Sequence, residues 1–303
     1  MLASRSRSDH LGDMTKTLFC FGLGYTARAL VRSLDDGWRC IGTSRGEDSA
    51  KVPPGVEMHQ WPGRRPSLDG VTHLLISAGP SEAGDPVLAD FREEIAARAD
   101  KFDWVGYLST TAVYGDRNGG WVDENTGVAP SSVRGDLRVA AERGWQSIPG
   151  LPLHIFRLAG IYGPGRGPFS KVRAGTARRI VKPGQVFSRI HVDDIAQVLR
   201  ASIAQLRPGA VYNLCDDDPA PPQDVIGLAA ELLGLPLPAE VPFDEAGMSA
   251  MARSFYGENK RVRNDLIKSE LGVKLLYPSY REGLRALLKV ETEALERKSD
   301  AWF

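Results

Sequence analysis

Short apolar runs alternate along the chain with longer segments whose apolar residues recur at helical spacing. In the segment Tyr25–Leu34, apolar residues follow i, i+3, i+4 and i+7, which is the periodicity of one buried helix face. Further helices are predicted at Pro86–Lys101 and Ser131–Ser147. The strand-like runs are Thr17–Gly22, Trp38–Thr43, Val56–Trp61, Val71–Ala78, Trp104–Ser109 and Leu153–Leu158. This alternation predicts an α/β fold, a Rossmann-type doubly wound parallel sheet covered by helices on both faces.

The pattern changes after Tyr162, where turn residues become more frequent. A helix is predicted to begin at Asp193 or Asp194, either of which can cap it, and one more strand covers Val211–Leu214. Beyond that strand, Pro-rich turns separate helices, which predicts a smaller, mostly helical C-terminal substrate domain. The predicted division is a flexible tail at 1–15, a dinucleotide-binding domain at 16–165 and 189–215, and the smaller domain at 166–188 and 216–303.

Composition argues against several classes of protein. The chain of 303 residues has 38 basic and 38 acidic residues, and this zero formal net charge argues against a nucleic-acid binder. No apolar run reaches the ~18 residues that a membrane-spanning helix needs. The first 15 residues lack the apolar segment of a secretory signal, and Met14 is an alternative start. The three cysteines form no CxxC pair, so we expect a reducing, cytoplasmic location and no disulfide scaffold.

Metal-ligand patterns are weak throughout the sequence. The histidines lack metal-ligand spacing, and the acidic run Asp216–Asp218 has no second ligand cluster to accompany it. We therefore expect no metal site.

A glycine-rich turn joins the first predicted strand to the first predicted helix. Gly22 permits the tight turn, Gly24 lets a pyrophosphate approach the backbone, and Ala27 allows close packing of helix on strand. Tyr25 and Thr26 begin the helix, whose N-terminus favours phosphate charge. Because this G-x-G-x-x-A pattern lies between a strand and a helix, it predicts dinucleotide binding; a purely structural glycine turn is the alternative.

The end of the second predicted strand indicates which dinucleotide is bound. An NAD site usually has an acidic residue here, whereas this chain has Ser44 and Arg45. A hydroxyl and a cation suit a 2′-phosphate, so we predict NADP as the cofactor. The alternative is NAD, with Arg45 a solvated residue and Glu47 or Asp48 binding the ribose.

Three further segments carry a resemblance to a known family. They are Tyr107–Gly115 (YLSTTAVYG), Arg157–Gly165 (RLAGIYGPG) and Ile190–Ala196 (IHVDDIA). With the glycine loop, they resemble the extended short-chain dehydrogenase/reductase superfamily, the group of nucleotide-sugar epimerases and dehydratases. The resemblance implies that Ser77, Ala78 and Gly79 line the nicotinamide ribose. It also implies that Thr110 is the catalytic Ser or Thr.

One family motif is missing from this chain. The Y-x-x-x-K pair should lie in the helix after Thr110, where the sequence places Arg134 at the Tyr position and Arg138 at the Lys position. Arg138 can hydrogen-bond the ribose and take part in catalysis by its charge, but a guanidinium cannot act as a general base. The alternative is that both arginines are a solvated helix face. Tyrosine-dependent hydride transfer is therefore expected to be slow or absent.

Three substitutes for the missing tyrosine remain open at this point. Tyr114 or Tyr162 can supply a hydroxyl, or Asp136 can act as the base. The third is a reaction that needs no base, such as reduction of an activated double bond, with Thr110 and Arg138 polarising a carbonyl. We rank this last route first.

A long basic stretch indicates the charge of the substrate. Between Arg143 and Val192 the sequence has nine cations and no Asp or Glu. By resemblance this region faces the substrate, so Arg166 to Arg189 are predicted to line an anion site, with Tyr114 and Tyr162 near its mouth. A scattered solvated surface is the alternative.

These features predict an NADP-binding protein of the reductase, epimerase or dehydratase type. Its partner is expected to be a small anionic molecule, such as a nucleotide- or sugar-linked one. The alternative is a non-catalytic NADP-binding sensor or regulatory protein. The resemblance also implies a homodimer formed through the helices at 86–101 and 131–147.

Overall fold

The computed structural model describes residues 16–46 and 52–300, with side chains to residue 293. The predicted tail, the alternative start at Met14, and Glu47 and Asp48 lie outside the described residues. In the described part of the chain, no helix is long and apolar enough to cross a membrane.

The strands agree with the predicted runs to within a few residues. In chain order they are β1 (Lys16–Phe21), β2 (Trp38–Ser44), β3 (Glu57–Gln60), β4 (His73–Ile76), β5 (Trp104–Thr110), β6 (Trp121–Val122), β7 (Leu153–Leu158), β8 (Gly160–Tyr162), β9 (Arg179–Val181), β10 (Arg189–His191), β11 (Val211–Leu214), β12 (Glu240–Pro242) and β13 (Arg261–Val262).

The helices lie between these strands. They are α1 (Tyr25–Ser33), α2 (Pro86–Ala97), α3 (Val133–Gln146), α4 (Phe169–Arg173), α5 (Val192–Ala204), α6 (Pro222–Leu232), α7 (Ala250–Phe255), α8 (Asp265–Leu271) and α9 (Tyr280–Asp300). Short 3-10 turns cover Ala99–Lys101, Thr111–Tyr114 and Phe243–Glu245.

Seven parallel strands form the central sheet, in the order β11-β7-β5-β4-β1-β2-β3. The direction of winding reverses between β1 and β4, and in open α/β sheets ligands bind outside the carboxyl ends of the strands at such a point. The predicted Rossmann-type sheet is therefore confirmed, and its switch point lies beside the glycine loop.

Two apolar cores cover the two faces of the sheet. On one face, Phe91 of α2 and Trp145 of α3 pack against β1, β4 and β5. On the other face, Leu30 of α1 and Leu199 of α5 belong to a core that also includes Ile267 of α8. Since α8 packs beneath the sheet, part of the range 216–303 lies with the main sheet and not with the smaller helical core.

The smaller core is built from α4, α6 and α9. Phe169, Leu228 and Leu284 are among its buried residues, and β9 pairs with β12 at its side. The segments 166–188 and 216–240 therefore pack together, although they are far apart in sequence. The predicted domain boundaries stay predictions.

Polar caps determine where several helices begin. Asp85 accepts hydrogen bonds from Val87 N and Leu88 N at 2.9 and 3.0 Å, and Pro86 follows it at the first helical position of α2. The cap of α5 differs from the prediction, because His191 Nδ1 accepts from Asp193 N. Asp194 is buried, and it accepts instead from two backbone N–H groups near the start of α9.

Candidate functional site

The glycine loop is shaped by a backbone conformation that only glycine adopts easily. Gly22 has φ of 86°, and a Cβ there would lie 3.1 Å from Ala78 N. Its N–H donates to Thr43 Oγ1 at 2.8 Å, which fixes the loop against β2. Gly24 precedes α1 with no side-chain cap, and a Cβ there would meet nothing closer than 3.8 Å. The first N–H groups of α1 are thus left for a phosphate, so the loop fits a dinucleotide.

The end of β2 lies beside this loop. Ser44 is half-buried and its Oγ accepts from Gly46 N at 3.3 Å. Arg45 is exposed and forms no ion pair with another described residue. Among the described residues, no carboxylate neutralises the guanidinium, which lies at the edge where a 2′-phosphate is expected.

The segment after β4 links the glycine loop to α3. Ser77 N and Ala78 N both donate to Phe21 O, at 2.9 and 2.8 Å, which holds the segment against the end of β1. A Cβ on Gly79 would lie only 2.8 Å from an Arg138 guanidinium nitrogen. The structure thus brings the residues predicted to line the ribose together with Arg138.

Arg138 is held by two acceptors on β5. Its Nη1 donates to Tyr107 OH at 3.1 Å and to Leu108 O at 2.6 Å. Burial raises the pKa of Tyr107, which lies in the core under the sheet. Arg138 is consequently a fixed charge between β5 and Gly79, and the alternative that it is a solvated surface residue is wrong.

A cavity of about 820 Å³ opens at the carboxyl ends of the strands. Its lining comes from the glycine-loop side, from β5, from α3 and from the segment around α7. Residues of these regions include Thr26, Ser77, Thr110, Thr111, Arg134, Arg138, Met251, Phe255 and Tyr256. Its size is that of an ordinary small-molecule site. The helix N-terminus, Thr110 and Arg138 are therefore neighbours in one crevice.

Positive charge dominates the lining of this cavity. The cations are Arg134, Arg138, Arg166, Arg189 and Lys260. Among the described residues, Glu258 is the single acidic side chain of the lining, and its Oε2 lies 2.6 Å from Lys260 Nζ. One carboxylate therefore faces an excess of cations, which favours an anionic ligand.

Comparison with known proteins shows which solved structures the chain resembles. No family model matches it. It is 65% identical to a functionally unknown conserved protein from Silicibacter pomeroyi, with a TM-score of 0.88 over 91% of this chain and 99% of that chain. It is 25% identical to a structure assigned to the NAD-dependent epimerases/dehydratases from Methylobacillus flagellatus, with a TM-score of 0.70 over 92% and 99%. The chain thus has the fold of NAD-dependent epimerase/dehydratase-like proteins, in agreement with the resemblance to the extended short-chain dehydrogenases/reductases.

Other relatives are more distant. Protein YeeZ from Escherichia coli is 27% identical over 281 residues, which are 87% of this chain and 97% of YeeZ. A 3-diazoavenalumate denitrifying reductase from Streptomyces is 29% identical over 146 residues, or 43% of this chain and 45% of that protein. Human epimerase family protein SDR39U1, solved with NADPH, is 18% identical with a TM-score of 0.70 and shares the fold.

Arg134, which the sequence analysis puts at the superfamily's tyrosine position, faces the cavity. Arg134 lines it, and its guanidinium carbon lies 4.3 Å from the ring centre of Phe255. The stack joins α3 to α7 across the cavity mouth. Arg134 therefore belongs to the cavity wall, although its side chain is exposed.

The structure brings neither proposed substitute tyrosine to Thr110. Tyr114 is wholly buried outside the cavity lining, where its hydroxyl donates to Asn213 Oδ1 at 2.8 Å, so its predicted place at the mouth is wrong. Tyr162 does line the cavity, but its hydroxyl donates to Ser279 O at 3.4 Å. In the described part of the chain, the hydrogen bond at Thr110 Oγ1 comes from Ala112 N, not from a tyrosine.

Asp136, the proposed substitute base, is likewise absent from the cavity. It is exposed on α3 and does not line the cavity. The helix turns its side chain away because it lies two residues from Arg138.

The long basic stretch divides when the chain folds. Arg166 and Arg189 line the cavity as predicted. Other members form ion pairs elsewhere, and the predicted continuous anion wall is wrong for them. Their partners are Glu291 for Arg173 and Glu240 for Arg179. Arg157 lies before the predicted anion site, on a strand, and has the buried partner expected there, Glu142. The separation arises because β9 pairs with β12, which carries the middle of the stretch away from the cavity.

Sequence reasoning missed the residues that close the cavity from the C-terminal side. Lys260 is buried, donates to Gly115 O at 3.0 Å, and has a pKa lowered by burial. Phe255 and Tyr256 belong to the same wall. No motif marks these residues; the charged sequence Glu258 to Lys260 is indistinguishable from that of a surface loop. A cluster of acids and thiols able to hold a metal is also absent from the described residues.

Proposed function

We propose that this protein is a reductase that transfers hydride from NADPH to a small anionic molecule without a tyrosine acid/base. The observation that carries the proposal is the pairing at the end of β5. There a hydroxyl, Thr110, and a fixed guanidinium, Arg138, line the cavity. By resemblance they lie at the superfamily's Ser/Thr and Lys positions, and Arg134 lies at its Tyr position. The pair of Thr110 and Arg138 can donate hydrogen bonds but cannot remove a proton.

Residues on three sides of the cavity fit the cofactor. The N–H groups after Gly24 suit the pyrophosphate, and Arg45 suits a 2′-phosphate. Ser77 and Gly79 lie where a nicotinamide ribose is expected, next to Arg138. When bound, NADPH supplies a hydride. The NADPH found in the solved human relative is consistent with this assignment.

The chain's own groups favour reduction over alcohol oxidation. Oxidation of a secondary alcohol requires a group that accepts the hydroxyl proton, and Arg138 stays protonated. Reduction of an electron-poor double bond instead requires donors aimed at the negative charge that develops when hydride adds, and the proton that completes the reduction comes from water. Thr110 and Arg138 can provide those donors. The partial similarity to a Streptomyces denitrifying reductase supports the reductive class.

Cofactor binding is tested by titrating the full-length protein with NADPH and NADH. Arg45→Ala should weaken NADPH binding about tenfold or more, since it removes a charged hydrogen bond, and should leave NADH binding unchanged. Arg200→Ala, which removes an exposed cation on α5, is the matched control. Equal losses for the two nucleotides would refute the assignment of NADPH.

Turnover is tested in both directions. NADPH consumption is followed with α,β-unsaturated carboxylates, and NADP reduction is followed with hydroxy acids. We expect reduction only, with kcat lowered by about 10²-fold in Arg138→Gln, as expected for loss of a positioned catalytic donor. Vigorous alcohol oxidation that survives Arg138→Gln would overturn the proposal. Tight NADPH binding without any turnover would favour the sensor.

A further inference from the structure

A side chamber adjoins the main cavity. It has a volume of about 310 Å³ and lies behind the loop Gly165–Pro168. Tyr162, Arg166 and Arg189 line both spaces and form their common wall. The remaining walls come from the smaller core, through Val225, Tyr280 and Leu284. Most of the chamber is therefore apolar, with cations on the side facing the main cavity.

The chamber has a buried hydroxyl that is not satisfied. Tyr280 is 1% exposed, and its hydroxyl makes no hydrogen bond with any described residue. A buried polar group without a partner is costly, so native structures rarely retain one without a reason. The hydroxyl has almost no accessible surface in this structure, so a ligand reaches it only with a small shift of the ring, and that hydrogen bond would remove the cost.

Arg189 is the cation of the chamber. Within the described chain, its guanidinium donates from Nη1 alone, to Phe187 O at 2.8 Å and Ala220 O at 3.1 Å. Both acceptors are neutral carbonyls, which orient the group and leave its charge unpaired. The N–H groups on Nε and Nη2 remain for an anion. A planar guanidinium can bind a carboxylate through two parallel hydrogen bonds.

We propose that this chamber binds the carboxylate end of an aromatic or alkyl acid, with Arg189 and Tyr280 as its hydrogen-bond donors. The inference rests on the proposed function only in identifying that acid as the substrate. The apolar walls favour a hydrocarbon body over a compact, fully hydrated phosphate. The size is sufficient, since an engineered cavity of ~150 Å³ in another protein binds benzene.

Asp216 does not cancel the charge of Arg189 at neutral pH. Burial raises the pKa of this carboxyl to about 8, and its Oδ2 is buried without a hydrogen-bond partner among the described residues. The group is therefore largely protonated at pH 7. The charge of Arg189 is left to the ligand.

The test is direct calorimetric binding of small probes to the full-length protein. Benzoate should bind, whereas its neutral isostere benzamide and inorganic phosphate should each bind at least tenfold more weakly. Val225→Phe fills the chamber and should abolish benzoate binding. Val290→Phe, a matched substitution at a 46% exposed site on α9, should leave it unchanged.

Tyr280→Phe separates a binding role from a structural one. Removing a partnerless hydroxyl should not destabilise the fold, yet it should weaken benzoate binding by about tenfold, as expected for a hydrogen bond to a charged group. The chamber assignment would be overturned if the unsubstituted protein did not bind benzoate. It would also be overturned if the Val225→Phe and Tyr280→Phe variants both bound benzoate as tightly as the unsubstituted protein.

The two proposals fail independently. If both substitutions weaken benzoate binding but the protein shows no hydride transfer, the chamber assignment stands and the proposed reductase function is rejected. If the protein transfers hydride but neither substitution changes its benzoate affinity, the reductase function stands and the chamber assignment is rejected.

Discussion

A buried arginine and a half-buried one each lie near a buried carboxyl group in this molecule, and only the first forms an ion pair. Arg157 forms two hydrogen bonds with Glu142, from Nε at 3.2 Å and from Nη2 at 2.8 Å. Its Nη1 donates to Tyr114 OH at 3.0 Å, and Ser109 Oγ donates to the same glutamate. Each of these four side chains, Arg157, Glu142, Tyr114 and Ser109, has a hydrogen-bond partner among the others.

Asp216 is as buried as Glu142, but Arg189 is half-buried and the two are not paired in this way. No hydrogen bond joins their side chains among the described residues, and Asp216 Oδ2 has no hydrogen-bond partner there. The guanidinium of Arg189 faces two cavities, whereas that of Arg157 faces none. The two arginines therefore differ in two ways: Arg157 is buried and the protein satisfies its donors, whereas Arg189 is half-buried and keeps donors for a ligand.

The largest effect should come from breaking the satisfied pair. Glu142→Gln leaves the buried charge of Arg157 without compensation, which typically costs about 3–5 kcal/mol of unfolding free energy. Urea denaturation measures the loss. Glu94→Gln, which breaks the exposed pair with Arg65, is the control and should cost less than about 1 kcal/mol. Similar losses in the two variants would mean that the Arg157 network contributes no more than a surface ion pair.

The unpaired carboxyl should produce a smaller effect that depends on pH. The pKa of Asp216 is raised to about 8 in the folded protein, so between about pH 4 and 8 the native state binds a proton that the unfolded chain has released. Stability is therefore lost as pH rises through that window, by about 1.4 kcal/mol per pH unit from this group. Asp216→Asn removes this contribution.

Urea denaturation of both proteins at pH 5, 6 and 7 tests the sign. The unsubstituted protein should lose about 2–3 kcal/mol relative to Asp216→Asn between pH 5 and pH 7. Contributions of other groups cancel in this difference. Parallel stability curves would show that Asp216 is ionised in the folded state, and Arg189 would then not be left unpaired.

The sheet and the cofactor loop could be predicted because their signals are local. Apolar runs and helical periodicity specify β1 and α1. The glycine at position 22 indicates a tight turn, and its φ is indeed positive. The pairing of Arg157 with some buried partner is also expected for a cation on a buried strand. The partner, Glu142, lies on the helix after β5 and becomes its neighbour only through the fold.

The rest of the site depends on contacts between distant segments. Nothing in the sequence separates Arg189 from Arg179, yet one lines two cavities while the other pairs with Glu240. Lys260 reaches the cavity through β13, which pairs with β6 far away in sequence. The prediction for Tyr114 was wrong because a tyrosine just after a strand end is expected at the mouth of the cavity. The turn at Thr111–Tyr114 instead directs its side chain into the core.

The smallest difference concerns two buried tyrosine hydroxyls. The Tyr114 hydroxyl accepts from Arg157 and donates to Asn213, so Tyr114→Phe leaves two buried polar groups with one partner fewer and should cost about 2 kcal/mol. The Tyr280 hydroxyl has no described partner, so Tyr280→Phe should change the unfolding free energy by less than about 0.5 kcal/mol, or raise it slightly. Urea denaturation of the two variants without ligand makes the comparison. If Tyr280→Phe proved the more destabilising, its hydroxyl would be satisfied within the fold, and the side chamber would lose the donor on which ligand binding depends.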